Sequence, residues 1–138
     1  DEAGNGFPLR WPLYYAGARG MWNPNVDARR VMAEACVKLF GPAGEAMQRY
    51  YGVFEQAMDA CQIPAKSWRL PNPAKMYSPA TESAAAALLD EADTLAADPA
   101  AKTRIAQERE VFERFRALLK ELRDVPREAA PSKANPGM

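Results

Sequence analysis

The chain has 138 residues, enough for one domain with a hydrophobic core that needs no disulfide or metal staple, and its 48% hydrophobic and 26% charged content is that of an ordinary soluble globular protein. Lys plus Arg and Asp plus Glu are balanced at 18 each with no basic cluster, which argues against nucleic-acid binding through neutralised phosphates. There is no histidine, so the commonest general base and metal ligand is missing, and with it any triad that needs an imidazole.

The chain opens on "DEAGNGFP", whose glycines and proline read as a loop. No charged region followed by an apolar run marks a leader, and the first residue is Asp1, so the chain is expected to be a processed or excised piece of something longer. "LRWPLYYAGARGMW" then places Trp11, Tyr15, Ala18 and Trp22 at helical spacing, with Tyr14 and Met21 beside them. Pro12 fits if it falls in the first turn, where its missing N–H has no partner. Gly17 and Gly20 weaken this helix by about 1 kcal/mol each relative to alanine and suggest a close backbone neighbour.

"NPN" ends the first helix, because Asn23 precedes a proline and is pushed out of the α region. Asn25 or Asp27 caps a second helix with Val31, Met32, Ala35, Leu39 and Phe40 as its apolar positions. Gly41 and Pro42 are a stop followed by a start. The third helix then carries Met47, Tyr51, Phe54, Met58 and Cys61 at spacings of four and three, antiparallel to the second across a short turn. In that arrangement Cys36 and Cys61, the only cysteines, lie on the order of 20 Å apart. A disulfide needs Cα atoms within about 7 Å, so both cysteines are expected as small core residues.

"IPAKSWRLPNPAKMYSP" holds four prolines, which exclude a continuous helix, yet Trp68, Leu70, Met76 and Tyr77 are too apolar for a free linker. An ordered crossover packed down on the helices is expected. Ser78 and Pro79 cap and begin a fourth helix with Glu82 near its positive end and Ala85, Leu88, Ala92, Leu95 and Ala96 inward. Asp98 and Pro99 repeat that start for a fifth, with Ile105, Phe112, Phe115, Leu119 and Leu122 on one face and Val111 and Leu118 flanking it. "VPREAAPSKANPGM" reads as a frayed tail. The predicted fold is therefore all-α: about five helices in an antiparallel bundle over residues 1–125, with a proline-rich crossover and a flexible tail at 126–138. No strand pattern and no internal repeat occurs, and no apolar stretch approaches the roughly 20 residues that span a bilayer.

Chemistry is sparse. The acids Asp90, Glu91 and Asp93, and Glu108, Glu110 and Glu113, read as solvated outer faces, as do Arg104, Arg109, Arg114 and Arg116. There is no phosphate loop, metal-ligand spacing or nucleophile elbow, so no catalytic residue, metal or cofactor is assigned. Exposed, Trp11, Tyr14, Tyr15 and Trp22 would form a sugar-stacking platform, but helical spacing favours core packing. Trp68 and Tyr77 are stronger binding candidates because they sit on a loop, although anchoring that loop is again the commoner role. Asp1 and Glu2 precede a glycine-rich loop opening a helix, where a carboxylate ending a barrel strand would stand, although a disordered terminus is the simpler reading. Glu2, Asn5, Trp68 and Tyr77 are the substrate-binding candidates, and Trp11, Tyr14, Met21 and Trp22 the partner-docking ones.

The stretch "GNGFPLRWPLYYAGARGMWNPNVDARRVMAEACVKLFGPAGEAMQRYYGVFEQA" resembles the carboxy-terminal region of a large bacterial family of glycoside-hydrolase-like proteins of largely unknown function. That family is associated with polysaccharide breakdown and is distantly similar to alpha-glucuronidases. The aromatic helix "LYYAGARGMW", the "WNPNVD" turn, the "FGPAGEAM" junction and the "RYYGVFEQA" helix carry the likeness, and "MYSPATESAAAALLDEADTLAAD" looks like the family's next helix. The resemblance implies an eight-stranded barrel with the active site before this region, so that residues 1–23 would be the end of the barrel and the rest an appended bundle. It also implies a secreted or periplasmic parent acting on polysaccharide. The expected role is a non-catalytic helical region supporting that barrel, with the barrel or a second copy of the chain as partner, and neither nucleic acid nor membrane. The alternative is a free-standing helical protein-interaction module.

Overall fold

The computed structural model describes residues 7–61 and 72–124, with side chains from Trp11 onward. Helix α1 spans Phe7–Trp22, α2 Ala28–Phe40, α3 Gly44–Asp59, α4 Pro73–Met76, α5 Pro79–Leu95 and α6 Pro99–Asp124, and a 3-10 turn at Gly41–Ala43 joins α2 to α3. The protein is an all-α antiparallel bundle of five long helices with α4 as a short turn, and no strand occurs among the described residues. The expected tail and Trp68 lie outside the described residues.

Helices α2, α4, α5 and α6 start where a side chain satisfies an orphan backbone donor. Asp27 Oδ1 accepts from the amides of Arg29 (2.9 Å) and Arg30 (3.3 Å) to open α2. Ser78 Oγ accepts from Thr81 N at 3.1 Å before Pro79 begins α5, and Asp98 Oδ1 accepts from Ala100 N at 3.3 Å before Pro99 begins α6. Gly41 closes α2 at φ 54°, with its N–H donating to Val37 O, a conformation that favours glycine. Within the crossover, Asn72 caps α4 through Ala74 N at 2.9 Å, a helical turn not anticipated between its prolines.

The centre of the bundle is α3, which packs against α5 and α2. Helix α6 lies along α5, α2 and α4, and α1 rests on α2 and α6. Phe40, Met47, Tyr50, Leu89, Ile105, Phe112 and Leu119 are fully buried between them. Arg49 pairs with Glu91 to tie α3 to α5, and Arg109 reaches Asp90 at 2.9 Å to tie α6 to α5. These exposed pairs contribute little beside the core.

The apolar stripes are mostly as expected, with shifts of register that packing explains. In α3 the inward side is Ala46, Met47 and Tyr50, while Met58 is exposed and Tyr51 and Phe54 are half-buried. In α5, Leu89 takes the buried place expected of Leu88, and Leu95 is exposed. Both rotations follow from contact on two sides: α3 is covered by α2 and α5 at once, so its buried arc is centred one residue away from the longest run of large side chains. Pro12 lies beyond the first turn, because α1 starts at Phe7. Cys36 is buried and Cys61 only half-buried, and both are free.

The tightest contact is at Gly44. A Cβ there would stand 2.8 Å from Val37 Cα and 2.9 Å from the Cys36 carbonyl carbon and oxygen, all backbone atoms of α2. Gly44→Ala should therefore cost about 1–3 kcal/mol as overpacking. Gly52, mid-way along α3 with nothing within 4 Å of its would-be Cβ, should gain roughly 0.5–1 kcal/mol on the same change. Urea unfolding of the two variants should move in opposite directions.

Candidate functional site

On α6 the apolar stripe runs Ala101, Ile105, Phe112, Leu119, and one place in it is taken by a carboxylate. Glu108 is 3% exposed, and its Oε2 has no hydrogen-bond partner. The expectation of a solvated outer face fails here, because Glu108 stands three residues after Ile105 and four before Phe112, on the buried line itself. Glu82, expected only as a helix-start charge, is also buried, and the exposed Arg116 reaches it as well as Glu113.

The two buried acids have different surroundings. Glu82 meets Arg123 Nη2 at 2.5 Å and Arg116 Nε at 3.5 Å, so its charge is compensated, although its Oε1 makes no hydrogen bond of good geometry. Glu108 forms no ion pair among the described residues. Its neighbours are the Tyr51 hydroxyl and the Trp11 indole N–H, which itself donates to Tyr51 Oη at 2.9 Å. Burial pushes the Glu108 carboxyl up to about 7, and those two neighbours offset only part of the rise. Burial and then the Glu108 charge raise Tyr50, Tyr51 and Cys36 as well, the thiol to about 12. A thiol so far above neutrality is not a nucleophile at physiological pH.

Around this group the aromatics form a chain. The Trp11 ring meets Tyr51 edge-on at 5.5 Å and Phe40 at 6.4 Å. Tyr50 stacks edge-on with Tyr51 at 5.1 Å and with Phe112 at 6.1 Å. Beyond them Phe54 and Phe115 meet Tyr77 at 5.7 and 5.3 Å. Beside Glu108 lies a cleft of about 500 Å³. Its walls are Trp11, Tyr14 and Tyr15 from α1 and Leu39 and Phe40 from α2. Helix α6 adds Arg104, Gln107 and Glu108. A wider groove of about 880 Å³ runs along α3 and includes Leu13, Met32, Met58 and Tyr77 in its lining.

The candidates named from sequence scatter. Glu2, Asn5 and Trp68 lie outside the described residues. Tyr77 is half-buried, as expected of a residue that anchors the crossover, and its carbonyl accepts from Arg123 Nη2 at 2.7 Å. Trp11 is core, 8% exposed, and unavailable for docking. Trp22 and Met21, expected on or beside the core stripe, are 91% and 88% exposed, since α1 overhangs the bundle at its carboxy-terminal end. Glu108 and Tyr51 are the pair that sequence reasoning left apart. No group of three His, Cys, Asp or Glu able to hold a metal occurs among the described residues, and none of the described helices is long and apolar enough to cross a membrane. The described lining of the smaller cleft holds one carboxylate, whereas glycoside hydrolysis uses two. No family model, curated protein or solved structure matches this chain, so its geometry carries the functional reading.

The carboxyl of Glu108 makes folding pH-dependent. The unfolded group releases its proton near 4.5 and the folded one near 7, so between these values the native state binds more protons. The Glu108 contribution to stability is then full below the lower value, falls as the pH rises through that window, and is absent above it, a difference of roughly 3 kcal/mol. Tyr50, Tyr51 and Cys36, which face Glu108, keep their protons throughout. Glu108→Gln should flatten the decline and exceed the wild type in melting temperature above pH 7.

Proposed function

We propose that this chain is the non-catalytic helical region of a carbohydrate-active, glycoside-hydrolase-like protein, and that it docks through α1 on a barrel domain. The observation that carries the docking is the mismatch between the composition of α1 and its burial. The helix is apolar around most of its circumference, a pattern belonging to a helix covered on all sides. The bundle covers one side only: Trp11 is buried, while Leu13, Met21 and Trp22 stand 73%, 88% and 91% exposed. Large exposed apolar side chains along one helix are a docking surface more often than a solvated one. The identity of the partner as a barrel, and the link to polysaccharide, rest on the likeness of the "LYYAGARGMW", "WNPNVD" and "FGPAGEAM" segments alone.

A specific contact favours the second reading, a free-standing interaction module. Trp11 is built into the bundle's own core through Tyr51 and Phe40, so α1 is an integral part of this domain. The coding sequence upstream of Asp1 separates the two. Alternating strands and helices there favour a barrel partner, and an unrelated domain favours the module.

On either reading, the purified chain should self-associate or bind an apolar dye, and Met21→Glu and Trp22→Glu should abolish both effects without lowering the melting temperature. Light scattering over a range of concentrations gives the first readout. A monomer that binds no dye would overturn the docking role. The chain should also turn over no aryl glycoside or uronic-acid oligosaccharide, and turnover by wild-type protein would remove the non-catalytic assignment.

A further inference from the structure

We infer that the cleft between α1, α2 and α6 is a binding site for a small ligand with an apolar, ring-sized body and a protonated amine, the amine pairing with Glu108. Three features of the cleft point to that chemistry. Its volume of about 500 Å³ is in the range of small-molecule sites, and its walls are dominated by rings and aliphatic side chains. In one wall stands Glu108, 3% exposed, with Oε2 lacking any hydrogen-bond donor. A buried carboxylate in that condition is costly until a donor, and above all a cation, reaches it. Finally, Trp11, Tyr14 and Tyr15 line the same space, and the faces of such rings attract ammonium groups.

The charge pattern selects an amine over an anion or a neutral alcohol. Among the described lining residues Arg104 is the cation, and it stands four residues before Glu108 on α6, within reach of it in principle. Its Nη1 instead donates to the Leu39 carbonyl at 2.8 Å, tying α6 to the end of α2. Glu108 is therefore left without a partner cation among the described residues, beside an apolar space. A ligand hydroxyl would supply a donor but no charge, and a ligand carboxylate would be repelled.

The probe is phenethylamine, with phenethyl alcohol as its neutral counterpart, each titrated into the wild-type chain and followed by the indole N–H resonance of Trp11 and by calorimetry. The amine should saturate the site and bind about tenfold more tightly than the alcohol, the ratio of a charge-assisted to a neutral hydrogen bond. Glu108→Gln should abolish that preference while leaving the fold intact. Equal affinities in the wild type, a preference that persists in the glutamine variant, or no saturable change would each overturn the proposal. Binding that appears only in Arg104→Ala would also overturn it, by showing that Arg104 turns inward in the native protein and satisfies Glu108 itself. Should the glutamine variant fail to fold, Tyr14→Ala, at a ring 44% exposed, gives the second measurement. Its amine affinity should drop several-fold, and an unchanged value would remove the aromatic wall from the site.

Discussion

The absence of a side chain at Gly44 sets the arrangement of everything that packs on α3. Because α2 and α3 meet backbone to backbone there, the two helices lie too close to hold any large residue at their junction. The bulk is displaced along α3 to Met47 and Tyr50, which fill the centre of the bundle, and to Tyr51, which emerges beside α1. Tyr50 then meets Phe112 of α6, and Tyr51 receives the Trp11 indole. Trp11 so held by Tyr51 then forms one wall of the cleft beside Glu108.

The bundle handles its two buried acids in opposite ways. Glu82 joins three segments, since Arg123 that pairs with it also donates to the Tyr77 carbonyl before α5 begins. Glu108 meets only dipoles, an indole N–H and a phenol, in a ring-lined space. A paired charge of the first kind specifies how helices dock, and a hydrophobic replacement of similar volume often costs little. An unpaired carboxyl of the second kind burdens the fold whenever it is ionised. Such groups concentrate at sites with a role beyond packing.

Much of the fold was legible because helix ends have local causes. Asp27, Gly41, Ser78 and Asp98 all act as the sequence indicates, since a cap depends on residues only a few places away. Which side of a helix turns inward depends on its neighbours, and there the reading was less exact: Tyr50 and Leu89 displaced the residues expected in their places. Glu108 left a trace in the seven-residue interval between Ile105 and Phe112, where an unbroken stripe would hold an apolar residue. Its partner Tyr51 was legible only as one aromatic among several. The hydrogen bond from Trp11 spans 40 positions of chain, and no periodicity within one helix records a contact of that range.

Arg123 gives the last turn of α6 a task that its place near the end of a long helix conceals. Its guanidinium holds both the Glu82 carboxylate and the Tyr77 carbonyl, so a piece of this chain that ends short of it loses both contacts at once. A version trimmed after Leu122 would retain the aromatic core and every helix cap. It would nevertheless leave the Glu82 charge to Arg116 alone, at 3.5 Å, and would loosen the start of α5 from the end of α6. The end of α6 thus fastens the bundle beyond the last apolar side chain of that helix.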